Sequence, residues 1–295
     1  MVDSPTWDLL ADLELLLRFH FMQNALIVGT VVALLAGAVG YFVILRGQSF
    51  VAHMLSQIGF PGAAGAVLVH VSPVIGLAVF CTAGALGVGL LGGRLDAGRR
   101  LESAVVASIL AFSLGLGLLF FHLYAGSAQT VYSFLFGTIL GISDRDVAVT
   151  AITTVICLGA LAGIARPLVF ASVDPDVAEA RGVRVRAISI AFLLLLALAV
   201  AVTVQLVGTL LIFALLVAPG ACALQLTARP VRGLALTVGL SLLFTWLGLA
   251  VAYFTVYPVG FFITSLAFAA YVLIRVAKAI SAGRAGRLAL ESGPL

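Results

Sequence analysis

Four histidines, a few acids and one glutamine hold most of the chemistry this sequence could perform. His53 stands four residues before Gln57 in an apolar run, with Ser56 between them. Positions four apart share a helix face, so the imidazole and the carboxamide would point the same way. Imidazole is a ligand for zinc and other transition metals, and it binds them in its neutral form. A polar ring within an apolar segment normally turns toward a bundle interior or a cavity. His20, His70 and His122, with Asp144 and Asp146, fall near the ends of apolar runs. Gathered at one membrane face they could admit a dication; singly, the histidines are interfacial side chains with their polar tips in water.

Other chemistries have less to draw on. Intramembrane hydrolysis needs a serine–histidine pair with an orienting carboxylate, or twin aspartates. His53 has Ser49 and Ser56 nearby, but no acid lies in the middle of any apolar run. The same lack of carboxylates leaves a proton-coupled carrier unsupported. Cys81, Cys157 and Cys222 each sit alone in an apolar run, which fits packing rather than a disulfide or a thiolate metal site. Lys278 is the only lysine, so no G-x-x-x-x-G-K-[ST] phosphate loop exists. By that route the chain is no ATPase. A passive channel stays open as an alternative, distinguished by conduction without any ATPase.

The elements that must position these groups are read from hydropathy. The chain is 63% hydrophobic and 9% charged, with a mean hydropathy of +1.24. Soluble domains carry about 25% charged residues. Uncharged runs of the length that crosses roughly 30 Å of hydrocarbon, about 20 residues, recur throughout. The predicted fold class is all-α, a polytopic transmembrane helix bundle; the short alternating strands of a membrane barrel are missing. The apolar runs are 24–45, 49–69, 73–92, 103–124, 129–142, 147–165, 187–206, 208–227, 234–256 and 259–278. Residues 187–227 carry no charge and are too long for one crossing, so a tight turn is predicted near Gln205–Gly208.

Arginine placement sets the topology, because basic residues favour the cytoplasmic side. If 129–142 dips in and returns to the same face, fourteen basic residues lie inside and only Arg18 and Arg145 outside. That partition predicts about nine crossings plus one short re-entrant or broken segment, with a short tilted helix as the alternative for 129–142. Non-crossing backbone at membrane depth requires surrounding protein or a water-filled cavity. Residues 1–22, amphipathic from Trp7 to Phe21 and without a basic leader, are expected to form an interfacial helix rather than a cleaved signal. Residues 23–280 form the membrane domain, and 281–295 a flexible cytoplasmic tail. The net charge of +4 reflects membrane topology, not nucleic-acid binding.

One stretch breaks the apolar pattern. VDPDVAEARGVRVR, residues 173–186, gathers six charged side chains. Asp174 and Pro175 suit an N-cap and a first helical position, Asp176 and Glu179 favour the positive end of a helix dipole, and Gly182 can end the helix. A short helix over 174–183 on the cytoplasmic side is predicted, either a rigid knob for a soluble partner or a solvated loop.

The chain resembles, from about residue 19 to 278, the permease subunits of zinc/manganese-type metal-ion ABC transporters. Asp174, Pro175, Asp176, Ala178 and Gly182 match the family's D-P-E-x-A-x-x-x-G coupling helix, with Asp176 for Glu. Val207, Gly208, Leu210, Leu211, Ala214, Leu215, Leu216 and Pro219 match V-G-x-L-L-x-x-A-L-L-x-x-P-A. FMQNALIVGTVVALLAGAVGYFVILRGQSF is similar to the family's first helix and following loop. The family's G-D-A-L-S-H-A-x-x-P-G is here A-H-M-L-S-Q-I-G-F-P-G at 52–62, so His53 replaces the Asp and Gln57 the His. PVGFFIT at 258–264 stands for P-x-G-P-x-I.

The resemblance implies an ATP-driven importer of divalent transition-metal ions in the cell membrane, zinc first and manganese or iron next. It implies a separate cytoplasmic ATPase that alone uses ATP, a second permease copy and an extracytoplasmic metal-binding protein, with no bound cofactor. Asp174, Pro175, Asp176, Ala178, Glu179 and Gly182 would engage the ATPase, and His53, Ser56 and Gln57 would line the metal path. The alternative cargo within the same machine is a metal chelate such as a siderophore or cobalamin.

Overall fold

The computed structural model describes residues 20–91, 98–123, 137, 142–255 and 257–291, with backbone alone at 98–102 and 282–291. The described residues form helices and short connections: α1 (His20–Leu45), α2 (Ser49–Leu68), α3 (Pro73–Leu91), α4 (Gly98–Leu123), α5 (Asp144–Val173), α6 (Pro175–Ala180), α7 (Val185–Val207), α8 (Thr209–Leu226), α9 (Pro230–Tyr253) and α10 (Val259–Glu291). All except α6 are long and apolar enough to cross a membrane, nine among the described residues. The protein is an all-helical polytopic bundle, as its composition requires.

The charge-free stretch 187–227 breaks where the sequence predicts. α7 ends at Val207, α8 starts at Thr209, and Gly208 between them has φ +83° and ψ 161°. A side chain would resist that conformation, which glycine enters without steric cost. Gly137, also at positive φ (+76°), lies against this break; a Cβ there would overlap the Val207 carbonyl carbon and come within 2.6 Å of the Gly208 nitrogen. The rest of the proposed re-entrant stretch, apart from Ile142, lies outside the described residues. So do residues 1–19, most of the expected interfacial helix.

Helix boundaries depart furthest from the apolar runs in α5 and α10. α5 spans 30 residues rather than 147–165. Its start is fixed by a capping box, in which Asp146 N–H donates to Ser143 Oγ at 3.3 Å and Ser143 N–H to Asp146 Oδ2 at 3.2 Å. At the other end Arg166 closes the apolar run but not the helix, which continues through Pro167 because Leu168 and Ala171 are buried. α10 likewise runs on as helical backbone to Glu291, through most of the stretch expected to be a tail.

α1 is the central element. Of its most apolar window 72% is buried within the protein, against 17% for α4 and 11% for α10. Lipid gives helices no hydrophobic reason to associate, so close packing through small residues takes over. At Gly40 a Cβ would overlap the Leu216 carbonyl oxygen of α8, and one at Gly220 would lie 3.1 Å from the Gly40 oxygen. Gly62 and Gly76 bring α2 and α3 together in the same way. The membrane interior of the bundle is thus α1, α2, α7 and α8, and α2 carries His53.

Candidate functional site

The charged insert folds as a capped, anchored helix. The Asp174 carboxylate accepts from the Val177 N–H at 3.0 Å, and Pro175 occupies the first turn, where its missing N–H costs nothing. Gly182, at φ +82°, ends the element, with Gly182 N–H donating to Glu179 O at 2.9 Å and Val183 N–H to Ala178 O at 3.0 Å. Ala178 is fully buried with Ala171 of α5 and Val185 of α7, and Phe170 and Val183 pack against them. α6 therefore sits as a fixed knob on the ends of two long helices. Asp176 and Glu179 are exposed on it beside an exposed Val177, and Arg181 and Arg184 are exposed in the link to α7. Arg186, the second residue of α7, reaches the Leu90 carbonyl at the end of α3.

Within the membrane, α2 turns His53, Ser56 and Gln57 toward the interior to different degrees. Ser56 is fully buried and donates to the His53 carbonyl at 2.7 Å, so its hydroxyl proton serves its own helix. The His53 ring packs edge-on against Phe213 of α8, with centroids 4.8 Å apart. Its Nδ1 is buried without a hydrogen-bond partner. Native buried polar atoms are nearly always satisfied, so an orphaned ring nitrogen calls for a reason. Gln57 is half-buried one turn further on. This pair offers one nitrogen donor and one carboxamide and brings no negative charge.

At the opposite end of the bundle the structure joins two of the expected mouth residues. His20 Nε2 lies 3.1 Å from Asp144 Oδ1, both side chains largely exposed. A third member carries no sequence signal: Asn24, buried one turn into α1, donates to the same Asp144 oxygen at 2.8 Å and to the Ile142 carbonyl at 3.3 Å. Asp146 is engaged in the α5 cap instead. His70, at φ +58° just beyond α2, and His122, at the end of α4, are exposed at separate helix ends. Among the described residues no three or more His, Cys, Asp or Glu side chains converge as a metal-holding group.

A second cluster also escaped the sequence. Arg46, in the short turn between α1 and α2, donates from Nη2 to Ser189 Oγ at 2.6 Å and from Nη1 to Ser172 Oγ at 3.3 Å.

Residues 18–278 match the model of the ABC 3 transport family. The chain belongs to that family. ScaB of Streptococcus pneumoniae, named a manganese import system permease protein, is 34% identical over 238 residues, covering 80% of this chain and 83% of the relative. MntC of Listeria monocytogenes, named a manganese transport system membrane protein, is 32% identical over 217 residues, covering 74% and 76%. The solved structure of PsaBC from Streptococcus pneumoniae in complex with Fab superposes with a TM-score of 0.78 at 28% identity, over 90% of this chain and 94% of that one. Family membership and nine membrane-length helices among the described residues make this chain a multi-pass ABC-transporter permease of the cell membrane.

Proposed function

We propose that this permease carries a divalent transition-metal ion into the cell, driven by a separate cytoplasmic ATPase that docks on α6. The observation that carries the reading is the build of α6: a capped helix, locked by Ala178 onto the ends of α5 and α7, with its acidic residues exposed. A knob fixed to two spanning helices passes a push at its surface directly into the bundle. A solvated loop would not need the cap, the buried alanine or the positive-φ glycine. ATPases of this kind work in pairs, so a second permease copy completes the machine, and an extracytoplasmic binding protein delivers cargo to the end carrying His20 and Asp144.

The metal path runs past His53 and Gln57. A pathway site must bind weakly, because release has to follow. Neutral donors without a carboxylate suit that need, and His53 Nδ1, buried and without a hydrogen-bond partner, is the donor an ion would meet once the path opens. Manganese prefers carboxylate and carbonyl oxygen, whereas imidazole suits zinc, iron and their neighbours. The relatives' names speak for manganese and the donor set for zinc; zinc is the cargo proposed.

Charge reversal of Asp176 and Glu179 (D176K/E179K) tests the docking. Metal uptake in proteoliposomes with the ATPase is expected to fall at least ~10-fold while membrane insertion is unchanged; unchanged uptake overturns the docking role. Competition among zinc, manganese and a metal chelate in the wild type decides the cargo, and uptake blocked by the chelate alone would exclude a free ion.

A further inference from the structure

Arg46 belongs to neither the α6 surface nor the His53 face, yet it touches the frame of both. It occupies the turn linking α1 to α2, where Gly47 follows at φ +69°. Its guanidinium forks: Nη1 donates to Ser172 Oγ of α5 and Nη2 to Ser189 Oγ of α7, while Nε donates to Gln48 Oε1 at 3.3 Å. Ser172 lies two residues before the Asp174 cap of α6, and Ser189 lies in the second turn of α7. The two acceptors therefore bracket the insert, one at its entry and one at its exit.

The contact is also gripped from its apolar side. The guanidinium carbon lies 5.7 Å from the centroid of the Phe192 ring, which is fully buried on α7. Phe42 of α1 packs against the same Phe192 ring, with centroids 6.2 Å apart. A planar fork over an aromatic face holds both direction and distance, which a lysine ammonium cannot do. The Ser172 hydroxyl in turn donates to the Leu168 carbonyl, so the acceptor itself is fixed within α5.

From this corner α2 leads directly to His53, seven residues beyond Arg46. His53 is the fifth residue of α2, so it lies roughly 6 Å along the helix axis from Ser49, which opens α2. Any displacement of α6 that moves the ends of α5 and α7 thus reaches the α1–α2 corner through Arg46.

We infer that Arg46 is a positioning residue of the transport cycle, tying both flanks of α6 to the α1–α2 corner so that motion at the docking helix moves the His53 face of α2. This rests on α6 being the ATPase dock. A merely structural arginine would stabilise the same contacts without affecting the ratio of transport to hydrolysis.

The test uses the full permease–ATPase complex in proteoliposomes, with zinc and manganese supplied side by side, and measures metal moved per ATP hydrolysed. Arg46→Ala and Arg46→Lys are expected to keep the ATPase bound and hydrolysing within about two-fold of wild type while metal moved per ATP falls at least ~10-fold. An unchanged ratio overturns the inference, as does a parallel fall of hydrolysis and uptake. Ser172→Ala/Ser189→Ala removes the acceptors while leaving the arginine in place, and decides by the same ratio if an Arg46 variant fails to assemble. ATPase binding by D176K/E179K is read in parallel. If that variant still binds and transports, the dock has been misplaced, a result distinct from an unchanged ratio in the Arg46 variants.

Discussion

Removing the Asp174 cap isolates what makes α6 rigid. A helix of six residues is far too short to persist alone, because nucleation is costly and few bonds follow it. Its persistence comes from the burial of Ala178 and from the cap. In Asp174→Ala the Val177 N–H loses its acceptor, which costs about 1 kcal/mol, or roughly a five-fold rise in the open population. Asn caps about as well as Asp, because its amide oxygen can still accept from the Val177 N–H, so Asp174→Asn should keep most of the protection. Hydrogen exchange read by mass spectrometry on peptides covering 174–183 is the assay. The Ala178, Arg181 and Val183 amides, bonded to the Asp174, Val177 and Ala178 carbonyls, are the reporters. Local opening sets their exchange rate, so about five-fold faster exchange is expected in the alanine variant, with α1 unaffected. Unaltered exchange in 174–183 would refute the idea that the cap holds the knob together. Equal acceleration in α1 would refute its independence from the bundle.

Two further outcomes are expected. His53→Leu removes a buried nitrogen that has no partner, so stability in detergent should hold or rise, while metal uptake should fall at least ~10-fold; lost stability with retained uptake would mark His53 as a packing residue. Asn24→Ala strips two hydrogen bonds from the α1–α5 junction and leaves the buried Ile142 carbonyl wanting, at a cost of about 1–3 kcal/mol, read as a lower midpoint in denaturant titration; an unmoved midpoint would show that water replaces the amide fully.

Features set by local chemistry were legible in the sequence. The break at Gly208 follows from a charge-free stretch too long for one crossing, joined to a residue tolerant of positive φ. The α6 helix follows from Asp-Pro at its start and Gly at its end. What the sequence hid were contacts between distant positions. His20 and Asn24 meet Asp144 across more than 110 residues, and Asn24 looks like any polar residue near a helix start. Arg46 counted only as one inside charge among fourteen; its two serines are too common in helices to signal a partner. The apolar run stops before Arg166, where lipid compatibility ends, whereas α5 ends at Val173, where the Asp174 backbone turns extended. Hydropathy reports the solvent around a helix, and hydrogen bonding decides its length.

That extra length of α5 has a consequence for the surroundings of α6. Thirty residues make a rod of roughly 45 Å, while the hydrocarbon layer is only about 30 Å thick. With its first residue at one edge of the hydrocarbon, an upright α5 sets α6 about 15 Å beyond the other edge. The headgroup layer takes up about half of that standoff, and the field of anionic lipids fades over a further distance of about 8 Å in physiological salt. About 7 Å remains between the headgroups and α6, within one screening length, so charges on α6 feel anionic lipids as well as their protein neighbours.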